Sequence, residues 1–199
     1  MVKKRKKGSL IVEFVAILPL LVFVAWACLQ IMFYVNAHAV LHQAAMDAAR
    51  VAATELRGHV GSIASADAET KAKIVSQIQT KTHHVTKYNA LILLYRDRNY
   101  GHVAPSSIPV ELNQDCDEYL KNQPRGICIE THNALGNASA VTWDDNNEQI
   151  VVKIRAPFKT MGSFLPALEN LHVYGQGSAV KEVTERYNYV PGTNALPTP

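Results

Sequence analysis

At 199 residues, 48% of them hydrophobic, the chain has the composition of a folded protein and length for one domain, or one domain and an anchor. Its formal charge of +3 describes only one end. Lys3, Lys4, Arg5, Lys6 and Lys7 supply five positive charges; without them the remainder stands at −2, which leaves no basic surface to grip nucleic acid.

The first element is an apolar helix. Phe14 to Val35 is a 22-residue run whose only clearly polar member is Gln30, long enough to cross a bilayer. The basic cluster lies just before it and none follows. By the positive-inside rule the N-terminus is expected on the cytoplasmic side, with everything after about residue 36 exported. Cys28 falls inside this span as a small apolar residue. Pro19 also falls inside it, where a lost backbone hydrogen bond is expected to kink the helix.

Three readings compete for this N-terminus. A cleaved secretory signal would use Ala37-His38-Ala39 as its cut site, but signal cores run about 7–15 residues and this run is longer. A plain signal anchor explains length and charge, yet leaves Gly8 and Glu13 as accidents. A third reading uses both: cleavage after Gly8 makes Ser9 the new N-terminus, with a free amine, and Glu13 the fifth mature residue. A carboxylate there suits the positive pole of the helix. It can also neutralise the Ser9 amine of a neighbouring subunit, and because unpaired charge in lipid is costly, the pairing favours assembly and fixes axial register.

Beyond the span the pattern stays helical. Ala37, Val40, Leu41, Ala44, Ala45, Ala48, Val51 and Ala52 form one stripe, mostly of Ala, that lets a partner approach closely. Packing against the protein's own domain is preferred over packing between subunits, and both can hold along different portions. Gly58 and Gly61 are expected to end the helix. From residue 9 to 57 it would measure roughly 73 Å at 1.5 Å per residue.

The order of basic run, Gly8, Glu13 and long apolar helix resembles the class III signal of type IV pilins and pseudopilins. GSLIVEFVAILPLL, with Glu13-Phe14 and then Pro19, together with QAAMDAARVAAT from Gln43 to Thr54, resembles the TadE-like minor pseudopilins of tight-adherence (Flp pilus) systems. Arg50 stands where that family's Ala-rich pattern has its last arginine, while Met46 replaces an earlier one. The resemblance is strong over residues 8 to 56 and weak beyond. It implies a non-enzymatic subunit of the bacterial inner membrane, processed by a prepilin peptidase. The implied partners are a major Flp pilin, other minor pseudopilins and an assembly platform with its ATPase.

The exported part, residues 62–189, is expected to hold a second helix opened by Ser65 as N-cap, with Glu69 in its first turn. Its apolar face would be Ala68, Ala72, Val75, Ile78 and Gln79. Asn89 to Tyr95 is an apolar run that periodicity leaves unassigned. Cys116 and Cys128 flank a polar loop; on the oxidising side of a membrane they are expected to form a disulfide worth roughly 2–3 kcal/mol, the alternative being two free thiols. Strands are expected at residues 126–132, 148–158 and 171–189, the last broken at Gly175 and Gly177, and this part is similar to the C-terminal region of TadE-like proteins. Residues 190–199 read as a tail. The expected fold is α+β and pilin-like: a long N-terminal transmembrane and amphipathic helix, then a small domain with a second helix and a C-terminal antiparallel sheet.

No catalytic, cofactor or metal signature emerges. His38 and His42 stand four apart on a helix, but no HExxH pattern or third ligand accompanies them, so they read as solvated helix-surface residues. Asp144-Asp145-Asn146-Asn147-Glu148 lacks the ligand spacing of a calcium loop and reads as a hairpin turn.

Overall fold

One helix organises the structure. The computed structural model describes residues 8–56, 63, 66–97, 99, 101–112, 115–133, 148–160 and 171–181. Residues 1–7 of the expected leader, Gly58, Gly61, Ser65, the turn at 144–147, residues 182–189 of the last expected strand and the tail lie outside those residues. Helix α1, Gly8–Glu55, runs unbroken through Pro19. At 48 residues it is roughly 72 Å long.

Helix α2, Ala68–Thr86, starts later than Ser65 would place it. Asp67 is the N-cap, its carboxylate accepting from the Thr70 amide at 3.4 Å, and Glu69 sits in the first turn. Its buried face is Ile74, Ile78, Thr82 and Thr86, while Ala68 and Ala72 are exposed. The threonines pass as apolar because their hydroxyls turn back onto the helix. Thr82 donates to the Ile78 carbonyl and Thr86 to the Thr82 carbonyl, each at 2.7 Å. A hydropathy count of the sequence does not see that.

The sheet has the order β1-β2-β3-β4, formed by Val110–Leu112, Gly126–Asn133, Glu148–Pro157 and His172–Val180. The last three strands pair antiparallel, whereas β1 joins β2 in parallel, making the sheet mixed. A 3-10 turn, Pro105–Ser107, leads into β1, and a short helix α3, Cys116–Lys121, crosses from β1 to β2. Asn89 to Tyr95 is neither helix nor strand. It is pinned at the end of β3 by the Leu93 amide donating to the Pro157 carbonyl at 2.9 Å and by a bridge between Ile92 and Phe158.

One face of the sheet packs on α1. Ile127 and Ile129 of β2, Ile150, Val152, Ile154 and Ala156 of β3, and Val173 of β4 are buried with the α1 stripe of Ala37, Leu41, Ala44, Ala45, Ala48, Ala49 and Ala52, and each residue of that stripe is at 0% exposure. The Ala-rich stripe therefore serves the protein's own domain. Strand β4 is continuous through Gly175 and Gly177 rather than broken there, because both glycines face the helix. A Cβ at Gly175 would stand 2.3 Å from the Leu41 carbonyl oxygen, and one at Gly177 would stand 2.2 Å from the Met46 nitrogen. Alanines on the helix and glycines on the strand allow the two backbones to touch.

Candidate assembly and anchoring surface

The N-terminal half of α1 lies outside the domain's core. From Val12 to Val24 its large apolar side chains expose between 44% and 69% of their surface. With a mean hydropathy of 2.5 over its most apolar window, 6% of it buried, this is a helix long and apolar enough to cross a membrane. Gly8 and Ser9 open the helix, and Glu13, which is exposed, follows Ser9 by four residues. Pro19 lies a turn and a half above Glu13 and cannot donate to the Val15 carbonyl. These four residues share one end of α1. Cys116 and Cys128 lie far from them, on the sheet.

Cys116 opens α3 and Cys128 lies on the outer face of β2; they are joined as a disulfide with Cα atoms 5.5 Å apart. Both are buried, with Leu120, in a small cluster of their own. Asp115 caps α3 by accepting from the amides of Asp117 and Glu118, each at 3.0 Å. At the other end the Arg155 guanidinium donates to the carbonyls of Leu120 and Lys121. A six-residue helix has little stability alone, so the bridge and Arg155 hold it against the sheet.

Charges on that outer face are paired. Lys153 lies 2.9 Å from Asp117 Oδ2 and 3.0 Å from Glu130 Oε2, and His132 lies 2.7 Å from Glu130 Oε1. Burial by itself would lower the Lys153 pKa, but hydrogen bonds to Asp117 and Glu130 outweigh it and raise it. An open cleft of about 610 Å³ runs beside these residues, with Lys121, Tyr174, Gln176 and His42 on its walls. It brings no nucleophile and base together. Among the described residues, no group of three His, Cys, Asp or Glu side chains can hold a metal ion.

Sequence reasoning missed what His38 and His42 do. Among the described residues strand β4 is an edge strand of the sheet, and α1 runs beside it in the same direction. The Tyr34 hydroxyl donates to the His172 carbonyl at 3.2 Å. His38 Nδ1 lies 2.9 Å from the Tyr174 carbonyl, and His42 Nδ1 lies 2.9 Å from the Gln176 carbonyl. Four helix residues rise about 6.0 Å and two strand residues about 6.7 Å, so three rungs stay in step. The spacing of 34, 38 and 42 was visible in the sequence; its partner, an edge strand over 130 residues away, was not.

Comparison with known proteins finds one match. Residues 8–50 fit the model of a family described as TadE-like protein. The matched stretch begins at Gly8 and covers most of α1 and none of the sheet. No curated protein and no solved structure matches the chain.

Proposed function

With residues 8–50 TadE-like, we propose that this chain is a minor pilin or pseudopilin, cut after Gly8 by a prepilin peptidase and acting structurally in the assembly of a Flp-type pilus. The family is a pilus-associated, structural one, and a single apolar N-terminal helix fits membrane anchoring. The observation that carries the reading is the match itself, which starts at the glycine the cleavage requires and includes Glu13 and Pro19.

In this reading residues 1–8 are a cytoplasmic leader, α1 spans the inner membrane, and the sheet lies on the far side. After cleavage the Ser9 amine and the Glu13 carboxylate sit at one membrane-embedded helix end. Pairing Glu13 with the amine of an adjacent subunit removes two uncompensated charges from a low-dielectric setting and sets the axial offset between subunits. The working partners are the major Flp pilin, other minor pseudopilins, and the inner-membrane platform with its ATPase.

Mass spectrometry of the mature N-terminus tests the cleavage. A chain beginning at Ser9 is expected. One beginning at Met1 would overturn the processing step and leave an uncleaved, membrane-anchored binding module. Gly8→Arg should block the cut, and unchanged electrophoretic mobility of that variant would count against the proposal.

A further inference from the structure

Several contacts at the lower end of the domain converge on one level of α1. Tyr34, besides its bond to His172, meets the Phe158 ring edge-on with centroids 5.4 Å apart. The Phe158 amide donates to the Leu171 carbonyl and the Lys159 amide to the Leu91 carbonyl, each at 2.8 Å. Among the described residues, Tyr34, Leu91, Lys159 and Leu171, all half-buried, thus form a floor around the buried Phe158 ring. It faces the N-terminal half of α1, because β4 ascends beside the helix from His172.

Burial on α1 extends below that floor. Gln30, one turn lower than Tyr34, is only 9% exposed. On the opposite side of the helix at the same height, Ile31, Met32 and Val35 are 64%, 68% and 61% exposed. Among the described residues, the upper end of the apolar run is therefore covered on one side and exposed on the other.

Two placements of the bilayer compete. Sinking all of residues 14–35 into hydrocarbon would take the floor with it, including its irregular backbone, where each unsatisfied polar group costs several kcal/mol. Ending the span near Gln30 avoids this. Ser9 to Leu29 measures roughly 31 Å at 1.5 Å per residue, against a hydrocarbon core of about 30 Å. Tyr34 and Trp26 then bracket the membrane–water boundary, the level amphipathic aromatics favour. Ile31, Met32 and Val35 are left in the headgroup layer.

We infer that the floor of the domain is a lipid-docking surface, seated in the headgroup layer at the level of Gln30 to Val35. This rests on reading α1 as a membrane anchor. The domain is then held against the bilayer in one orientation by Ile31, Met32 and Val35 on one side of α1 and the floor on the other. It does not stand off on a bare stalk of helix.

Spin labels on the full chain in phosphatidylcholine–phosphatidylglycerol vesicles test it. Labelling without reductant leaves Cys116 and Cys128 bridged, so the native Cys28 takes one label. In a Cys28→Ser background, Met32→Cys, Val35→Cys and Ala39→Cys provide the others, all at exposed positions. Collision with oxygen reports the acyl region, and collision with a water-soluble nickel chelate reports the aqueous phase. Oxygen is expected to dominate at 28 and nickel at 39, with the crossover at 32 to 35. Oxygen dominance at 32 and 35 equal to that at 28, with no crossover before 39, would overturn the inference in favour of a deeper span. Protection of 32 and 35 from both reagents, growing with protein density, would overturn it in favour of a second copy. Nickel dominance at 28 would defeat the anchor reading and this inference together.

Discussion

His42 Nδ1 sits 2.9 Å from the carbonyl oxygen of Gln176, a residue 134 positions further along the chain, and the Gln176 amide approaches the same nitrogen at 3.2 Å. Both backbone groups of Gln176 point off the open side of β4, and one imidazole occupies the space in front of them. With Tyr34 and His38 it closes an edge that would otherwise offer itself to a strand of another chain. Two rungs gone together, in a His38→Ala and His42→Ala double variant, should destabilise the domain by about 2 kcal/mol, at roughly 1 kcal/mol for each hydrogen bond. Denaturant unfolding of the detergent-solubilised chain, followed by near-UV circular dichroism, measures this. An unchanged midpoint would show that the ladder is incidental to stability.

The close approach of α1 to β4 has a sharper test. A Cβ at position 177 meets the backbone of Ala45 and Met46, which cannot rotate away as a side-chain tip would. Gly177→Ala should therefore cost more than ordinary overpacking, about 3 kcal/mol, with a fall in Tm of roughly 6–12 °C. Ser178→Ala, one residue on and exposed, is the control and should melt like the parent. Equal melting of both variants would mean that the helix does not bear on the strand at this point.

The elements legible in the sequence were those with a local signal. The basic run and apolar stretch announced α1, and the Ala stripe from 37 to 52 announced which of its faces is covered. Alternation announced β2 and β3. Gly175 and Gly177 were visible but read in the wrong direction: taken alone, glycine in a strand signals a break, and only the helix lying on top explains two in register. Strand β1 was hidden because three residues carry almost no periodicity and its parallel pairing with β2 is non-local. The α2 face was half hidden, since Thr82 and Thr86 count as polar until their hydroxyls are seen bonded within the helix. At the candidate site, Gly8, Ser9, Glu13 and Pro19 were singled out by spacing alone, and their roles belong to the proposal. The histidine ladder needed the tertiary fold.

The bridge between Cys116 and Cys128 leaves Cys28 as the single free, exposed thiol. In denaturant without reductant one maleimide should add to the chain, and three after reduction. Closing the twelve-residue separation stabilises by roughly 3 kcal/mol, so reduction should release α3 and uncover Leu120. Because Arg155 holds the other end of α3, Arg155→Ala should be milder in the oxidised protein than in the reduced one. Equal losses in both states would show that the two tethers act independently.

Glu55 joins the top of α1 to α2. Its carboxylate lies 2.7 Å from Lys73 Nζ and accepts from Gln77 Nε2 at 2.7 Å. Those hydrogen bonds, Lys73 first and Gln77 next, hold its pKa below the ordinary value of 4.5. A carboxylate depressed in the folded state stabilises the fold fully above its unfolded pKa, and the benefit is lost as pH falls through the folded one. Glu55→Gln should therefore be less stable than the parent at pH 7, with the gap closing as the pH drops below about 4.5, the ordinary carboxylate range. Lys73 is largely exposed, so the gap should also narrow in high salt. Stability curves for the two proteins across that range decide it: a gap constant with pH would assign the contribution of Glu55 to packing rather than to its charge.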